Sequence, residues 1–390
     1  MYELTNGFHR MELQMKRILI TGGAGFIGSN LVNNLQISGH KITVLDNLSE
    51  QVHSANPENS VLFQSIQDKV AFIKGSVCDR DSLHKAMLNQ DVIVHLAAET
   101  GTGQSMYQVD RYVTVNISAT SLLLDMLGNG NYEVKRMVIA SSRSIYGEGK
   151  YLRADGTAVY PHHRKTEELE AGTFEVRDAD GTDLALVATD EQSKIHPSSV
   201  YGITKQVQEQ LVMTVCPLLE IEPVALRYQN VYGPGQSLEN PYTGILSIFS
   251  NLIMNGKSIN IFEDGLESRD FVFISDVVDA TILAIEHQNA ANGIFNVGSG
   301  VPTNVQSVAQ KLIENFGMQV PVNVSGNFRL GDIRHNYACI DKIKKHLGFS
   351  PKVSFEQGIT EFVKWAKKLG PKVSRYEQSL AEMKDRGLMK

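Results

Sequence analysis

Residues 16–46 constrain this chain more than any other stretch. Lys16-Arg17-Ile18-Leu19-Ile20-Thr21 is a short apolar run rich in branched residues, the signature of a buried strand. It runs directly into Gly22-Gly23-Ala24-Gly25-Phe26-Ile27-Gly28. Leu31, Val32 and Leu35 then recur at helical spacing, and Gly39 ends the pattern. A second strand, 41–45, stops at Asp46. Strand, glycine turn, helix, strand and acid make one βαβ unit. Gly23-x-Gly25-x-x-Gly28 fits the dinucleotide fingerprint, and Gly22 adds a GxxGxxG reading. Such glycines let backbone N–H groups approach a pyrophosphate seated on a helix N-terminus. Asp46 lies 18 residues beyond Gly28, near the ~20 expected of an acid that binds an adenosine ribose diol. Its charge would repel a 2′-phosphate, so NAD is expected over NADP. A glycine-rich turn without a ligand is the competing reading.

The alternation continues through a third strand (70–75), a helix (80–88), a fourth strand (91–98), a long helical segment (104–128) containing Asn116, and a fifth strand (136–142). A sixth follows at 223–228. This pattern predicts an α/β chain: a Rossmann-type doubly wound parallel sheet with a smaller C-terminal α/β substrate lobe. The small residues Ala97 and Ala98 and the hydroxyls of Ser141 and Ser142 fall at the C-terminal ends of strands, the ligand edge of such sheets. His95, inside an apolar strand, is expected to be a satisfied core histidine.

The expected division is an extension at 1–14, a nucleotide-binding domain at 15–230 whose sheet is completed by about 266–300, a lobe from 231–265 and 301–370, and a charged, peripheral tail at 371–390. Residues 49–68 predict a loop with a short helix, and 230–235 a turn leaving the sheet. Residues 147–197 are polar with little periodicity, and an insert of this length is functional or disordered. Its His162, His163 and His196 have no cysteine companion, so no metal is expected.

Charge and cysteines exclude other classes. The net charge of −6 gives no reason to expect nucleic acid or an anionic membrane as partner. Cys78, Cys216 and Cys339 are scattered and odd in number, which fits a reducing, cytoplasmic setting. There is no apolar run of membrane-spanning length and no signal-peptide core near the first residue.

Tyr201 and Lys205 stand one helical turn apart. A lysine ammonium beside a tyrosine hydroxyl favours the phenolate and draws its pKa down from about 10. A surface pair is the competing reading of that spacing alone.

With these pieces in place, the chain resembles the extended short-chain dehydrogenases/reductases, and within them the nucleotide-sugar epimerase/dehydratase family. The likeness covers about residues 15–370. It rests on 21–28, Asp46-Asn47, His95-Leu96-Ala97-Ala98, Ser141-Ser142-Arg143-Ser144-Ile145-Tyr146-Gly147, Tyr201-Gly202-Ile203-Thr204-Lys205, 227–235 and Arg269-Asp270-Phe271-Val272. The resemblance implies that Ser142, Tyr201 and Lys205 are catalytic, with Tyr201 the base and Lys205 its activator. It implies a tightly bound, recycled NAD touching Gly22, Gly25, Phe26, Ile27, Gly28, Asp46, Asn47, Leu96, Ala97, Ala98, Asn116, Tyr201, Lys205 and Tyr228. Ser76 and Val77 match positions near the adenine, although Ser76 replaces the family's Asp. A nucleotide-diphosphate sugar is implied at Ser142, Ser144, Asn230, Arg269, Arg329 and Asp332, and a homodimer through the helices near 104–128 and 201–216.

The 4,6-dehydratases of the family carry Asp-Glu where this chain has Arg143-Ser144, so a 4-epimerase is implied instead. Residues 142–149, the insert, 240–249 and 262–265 resemble the branch that acts on dTDP-L-rhamnose. UDP-hexose 4-epimerases and 4-keto-sugar reductases share the same catalytic pieces and stay open as alternatives.

Overall fold

The computed structural model describes residues 15–390 except 241, 243, 374 and 375, so the expected extension at 1–14 lies outside the described residues. Seven strands form one parallel sheet: β1 (Arg17–Thr21), β2 (Lys41–Asp46), β3 (Ala71–Lys74), β4 (Val92–His95), β5 (Arg136–Ser142), β6 (Glu222–Tyr228) and β7 (Gly293–Val297). Their spatial order is β7-β6-β5-β4-β1-β2-β3. The chain winds outward from β1 to β3, returns to β4 beside β1, and winds out the other way. The turning point between β1 and β4 opens a crevice at the strands' C-terminal ends.

Both faces of the sheet are covered, which is why its strands read as continuous apolar runs. Side chains alternate along a strand, so Ile18, Ile20, Val44 and Val94 pack into one core while Leu19, Leu45 and Ile93 pack into the other. The first core continues without a break into the C-terminal lobe, where Tyr232 stands edge-on to Phe273 at 5.4 Å and to Phe355 at 5.7 Å.

Four expectations change. Asn230–Tyr232, expected as part of a turn, is a strand paired in parallel with Ser268–Phe273. Ser268–Phe273 in turn pairs with Pro302–Asn304 and His335–Asn336 in a second sheet, so β7 alone completes the main one from the 266–300 stretch. The helical segment expected at 104–128 is broken into Thr102–Ser105, Val109–Tyr112, a π turn at Val113–Ser118, and Ala119–Asn129. The tail is not peripheral: Tyr376–Asp385 is a helix, Met383 and Met389 are buried, and Arg329 bridges to Met389.

The insert at 147–197 is ordered as well. Tyr151–Leu152, Ala158–Val159 and Ala185–Leu186 form a small antiparallel sheet beside the helix Thr166–Glu170. Charge fastens it to the lobe. The Arg164 guanidinium donates to both Glu263 oxygens at 2.8 Å. The fully buried Arg334 donates to Glu175 at 2.5 Å and to Asp264 at 2.7 Å. Among the described residues no helix is long and apolar enough to cross a membrane, and no His/Cys/Asp/Glu cluster could hold a metal ion.

Removing Arg334 leaves Asp264 without its cation and Glu263 with Arg164 alone. Arg334→Met is expected to lower stability by about 3 kcal/mol in urea denaturation and to expose the insert to proteolysis before the main sheet unfolds.

Candidate active site

The glycine turn is shaped by contacts that a side chain would break. Gly22 has φ +68°, and a Cβ there would lie 2.7 Å from the Ala97 backbone nitrogen. A Cβ on Gly28 would lie 2.5 Å from the Gly22 carbonyl oxygen. These approaches set the helix Phe26–Ile37 directly above the end of β1. Gly25 caps that helix without a side-chain hydrogen bond, which leaves its first N–H groups open to the cavity. The Asp46 carboxylate accepts from the Ala24 N–H at 3.0 Å and the Leu48 N–H at 2.8 Å, which aims it into the same space. Burial raises its pKa, and those two N–H bonds act against the shift. Open helix N–H groups, glycine surfaces and one carboxylate are what a dinucleotide's pyrophosphate and ribose require, so these residues fit NAD.

One cavity of about 590 Å³ spans the crevice. Its walls include Gly22, Gly25, Phe26, Ile27, Gly28, Asp46, Asn47, Ser76, Val77, Leu96, Ala97, Ala98 and Tyr228 from the residues expected at the cofactor. They also include Ser142, Ser144, Tyr201, Lys205, Asn230, Arg269, Arg329 and Asp332. Asn116 is the exception and does not line this cavity. It is fully buried behind the wall, its Oδ1 accepting from the Glu99 N–H at 2.8 Å and its Nδ2 donating to the Glu99 carbonyl and to Thr204 Oγ1. The π turn carries it inward. The Tyr228 hydroxyl likewise points away, 2.8 Å from Thr281 Oγ1.

Ser142 ends β5, and its Oγ lies 3.1 Å from Ser144 Oγ. The helix Val200–Leu218 starts beside it, capped by Ser199 Oγ, which accepts the Gly202 N–H at 3.1 Å. Gly202 permits the approach, since a Cβ there would lie 2.6 Å from the Ser144 carbonyl oxygen. Tyr201 thereby comes to the same cavity wall as Ser142.

Burial pushes the Tyr201 hydroxyl above its ordinary pKa, with Ser142 and the Arg143 charge opposing. The expectation was a pKa drawn down by Lys205; here the dry surroundings outweigh the cations, and the cation acting on Tyr201 is Arg143. Lys205 itself is pushed down to about 7 by burial, against the pull of Glu209.

On the lobe side, Asn230 Oδ1 accepts from Arg143 Nε at 3.1 Å. Arg269 is largely committed to protein: it donates to the Ser268, Arg334 and Ile333 carbonyls and to Asp332 Oδ1 at 3.0 Å. Arg329 is less so. Its guanidinium lies 4.6 Å over the Phe262 ring, and its buried Nε has no hydrogen-bond partner among the described residues.

Further wall residues were missed, among them Glu267, Tyr376 and Met383. Glu267 lines the cavity, and burial holds its carboxyl up at about 7. It stands immediately before the strand Ser268–Phe273, two residues ahead of Arg269. Tyr376 and Met383 come from the tail and carried no signal of their own.

Comparison with known proteins agrees with this geometry. The family model described as "NAD dependent epimerase/dehydratase family" matches residues 18–298. The chain is 38% identical over 353 residues to a dTDP-L-rhamnose 4-epimerase of Burkholderia thailandensis, covering 90% of this chain and 94% of that protein. It is 30% identical over 355 residues to a UDP-glucose 4-epimerase of Mycolicibacterium smegmatis, covering 90% and 98%. The solved UDP-glucuronic acid 4-epimerase of Bacillus cereus, in complex with UDP-glucuronic acid and NAD, superposes with a TM-score of 0.74 at 26% identity, covering 90% of this chain and 99% of that one. The chain belongs to the NAD dependent epimerase/dehydratase family, the group of NAD-dependent enzymes that its motifs resemble.

Proposed function

We propose that the protein is a nucleotide-sugar 4-epimerase that interconverts dTDP-L-rhamnose and dTDP-6-deoxy-L-talose. The observation that carries this is Arg143. Loss of a C6 hydroxyl needs an acid beside the strand-end serine, and Arg143 and Ser144 fill those positions. The likeness to the dTDP-L-rhamnose 4-epimerase supports the choice of sugar. The likeness to the UDP-glucose 4-epimerase favours UDP-hexoses as the second reading.

Bound NAD supplies the acceptor and then the donor of the C4 hydride, so the sugar passes through a 4-keto form without net oxidation. The residues of the chain handle the proton and the charge. Tyr201 Oη takes the proton of the 4-hydroxyl and later returns it, while Ser142 Oγ shares that hydrogen bond and orients it. The Lys205 ammonium carries the countercharge. Arg329 and Arg269 hold the pyrophosphate, which leaves the sugar free to turn its other face toward the same hydride position. We further place the enzyme in the cytoplasm, consistent with its three free cysteines, as a homodimer packed through the helices Ala119–Asn129 and Val200–Leu218. The working division is 15–230 for the cofactor, with 231–265 and 301–370 for the sugar nucleotide.

Purified protein given dTDP-L-rhamnose or UDP-galactose in separate tubes, with no added NAD+, is expected to interconvert the first pair at C4. Absence of a C4 product from both sugars, or NADH oxidised in step with product, contradicts the proposal; the latter result describes a keto-sugar reductase. Tyr201→Phe is expected to slow turnover by about 10²–10⁴-fold while the protein still purifies with NAD, as read by absorbance after denaturation.

A further inference from the structure

Lys205 begins a hydrogen-bond chain that runs away from the cavity. Its ammonium has three protons to give. One goes to Gln208 Oε1 at 2.8 Å. Gln208 Nε2 donates to Thr120 Oγ1 at 2.8 Å, and Thr120 donates its own proton to the Asn116 carbonyl at 2.6 Å. That last bond leaves Thr120 only lone pairs for its other neighbours, Gln208 Nε2 and His95 Nε2 at 3.1 Å. His95 Nδ1 then accepts from Thr21 Oγ1 at 2.7 Å. Thr21, His95, Thr120, Lys205 and Gln208 are all buried. The Gln208 amide therefore has one orientation. Turned over, it would set its NH2 against the ammonium and its oxygen against the lone pairs of Thr120. The chain is anchored at both ends, in the π turn Val113–Ser118 and in β1.

We propose that Gln208 is a positioning residue, which fixes the Lys205 ammonium so that its two remaining protons face the cavity. The charged and titratable groups around Lys205 leave this task to Gln208. On its own helix, Glu209 is occupied by Arg227 of β6 at 2.6 Å and by Ser141 at 2.6 Å. His95 of β4 is held neutral by burial, its pKa pushed down to about 3. Arg143 and Tyr112 lie on the Tyr201 side, Tyr112 edge-on to the Tyr201 ring at 6.4 Å. The inference rests on Tyr201 and Lys205 as the reacting pair, a reading that fails separately if Tyr201→Phe keeps its turnover.

The test compares Gln208→Met with Gln208→Glu in the NAD-bound enzyme. Two quantities are read: the alkaline limb of kcat, and the titration of the Lys205 amine by competitive acetylation with peptide mass spectrometry. Loss of a neutral acceptor makes the buried ammonium harder to keep. Gln208→Met is therefore expected to move both quantities down by about one pH unit. Gln208→Glu retains an acceptor and is expected to hold them at or above the wild-type position. If both variants leave the limb and the titration where the wild type has them, whatever happens to kcat, the proposal is overturned. Should Gln208→Met fail to fold with NAD, Thr120→Val frees the amide to turn. It is expected to move the Lys205 titration in the same direction, and an unchanged titration there overturns the proposal equally.

Discussion

The buried ion pair between Arg227 and Glu209 ties the working parts together. Arg227 Nη2 and Glu209 Oε1 are 2.6 Å apart, and Arg227 Nε and Glu209 Oε2 are 3.0 Å apart. Glu209 stands one turn beyond Lys205, and its Oε2 also accepts from Ser141, the neighbour of Ser142. Arg227 Nη1 reaches Tyr146 Oη at 2.6 Å, and Tyr146 reaches Asn296 of β7 at 2.8 Å. One bidentate contact thus fixes the helix Val200–Leu218, the end of β5, β6 and β7 in a single arrangement. Desolvation offsets most of the stability such a pair could give. Its evident structural consequence is register: Ser142 and Tyr201 sit on different elements, and bringing them to one site requires those elements to be held to a fraction of an ångström.

Around that joint the molecule divides its chemistry by element. Backbone geometry builds the cofactor end, through glycines that let strand, helix and neighbouring strand touch. Charge builds the opposite end of the cavity, where Arg143, Arg269, Arg329 and Asp332 share the wall with Glu263 and Glu267. The insert joins the second set through Arg164 and Glu263, so a segment far from the first half of the sheet braces the lobe. The tail helix closes the same wall with Tyr376 and Met383.

The parts legible in the sequence are those whose cause is local. The turn 22–28 and Asp46 follow from backbone sterics and spacing. The strand Arg136–Ser142 follows from apolar pattern and appears at the expected residues. What stayed hidden depends on distant partners. The insert has no apolar period because ion pairs order it, and Arg334 meets Glu175 across 159 positions of sequence. The strand Asn230–Tyr232 exists because Ser268–Phe273 lies beside it. The inward turn of Asn116 requires a π turn that no composition announces. Tyr201 and Lys205 were visible as a pair, but the direction of the Tyr201 shift depends on burial, which spacing does not reveal.

The central claim is that hydride leaves and returns to the same carbon within one closed site. The most direct measurement uses dTDP-L-rhamnose carrying deuterium at C4, turned over in ordinary water with unlabelled NADH present outside. The account predicts that the 6-deoxy-talose product keeps its deuterium at C4. Deuterium lost to water, or replaced by hydrogen from the external NADH, would contradict it.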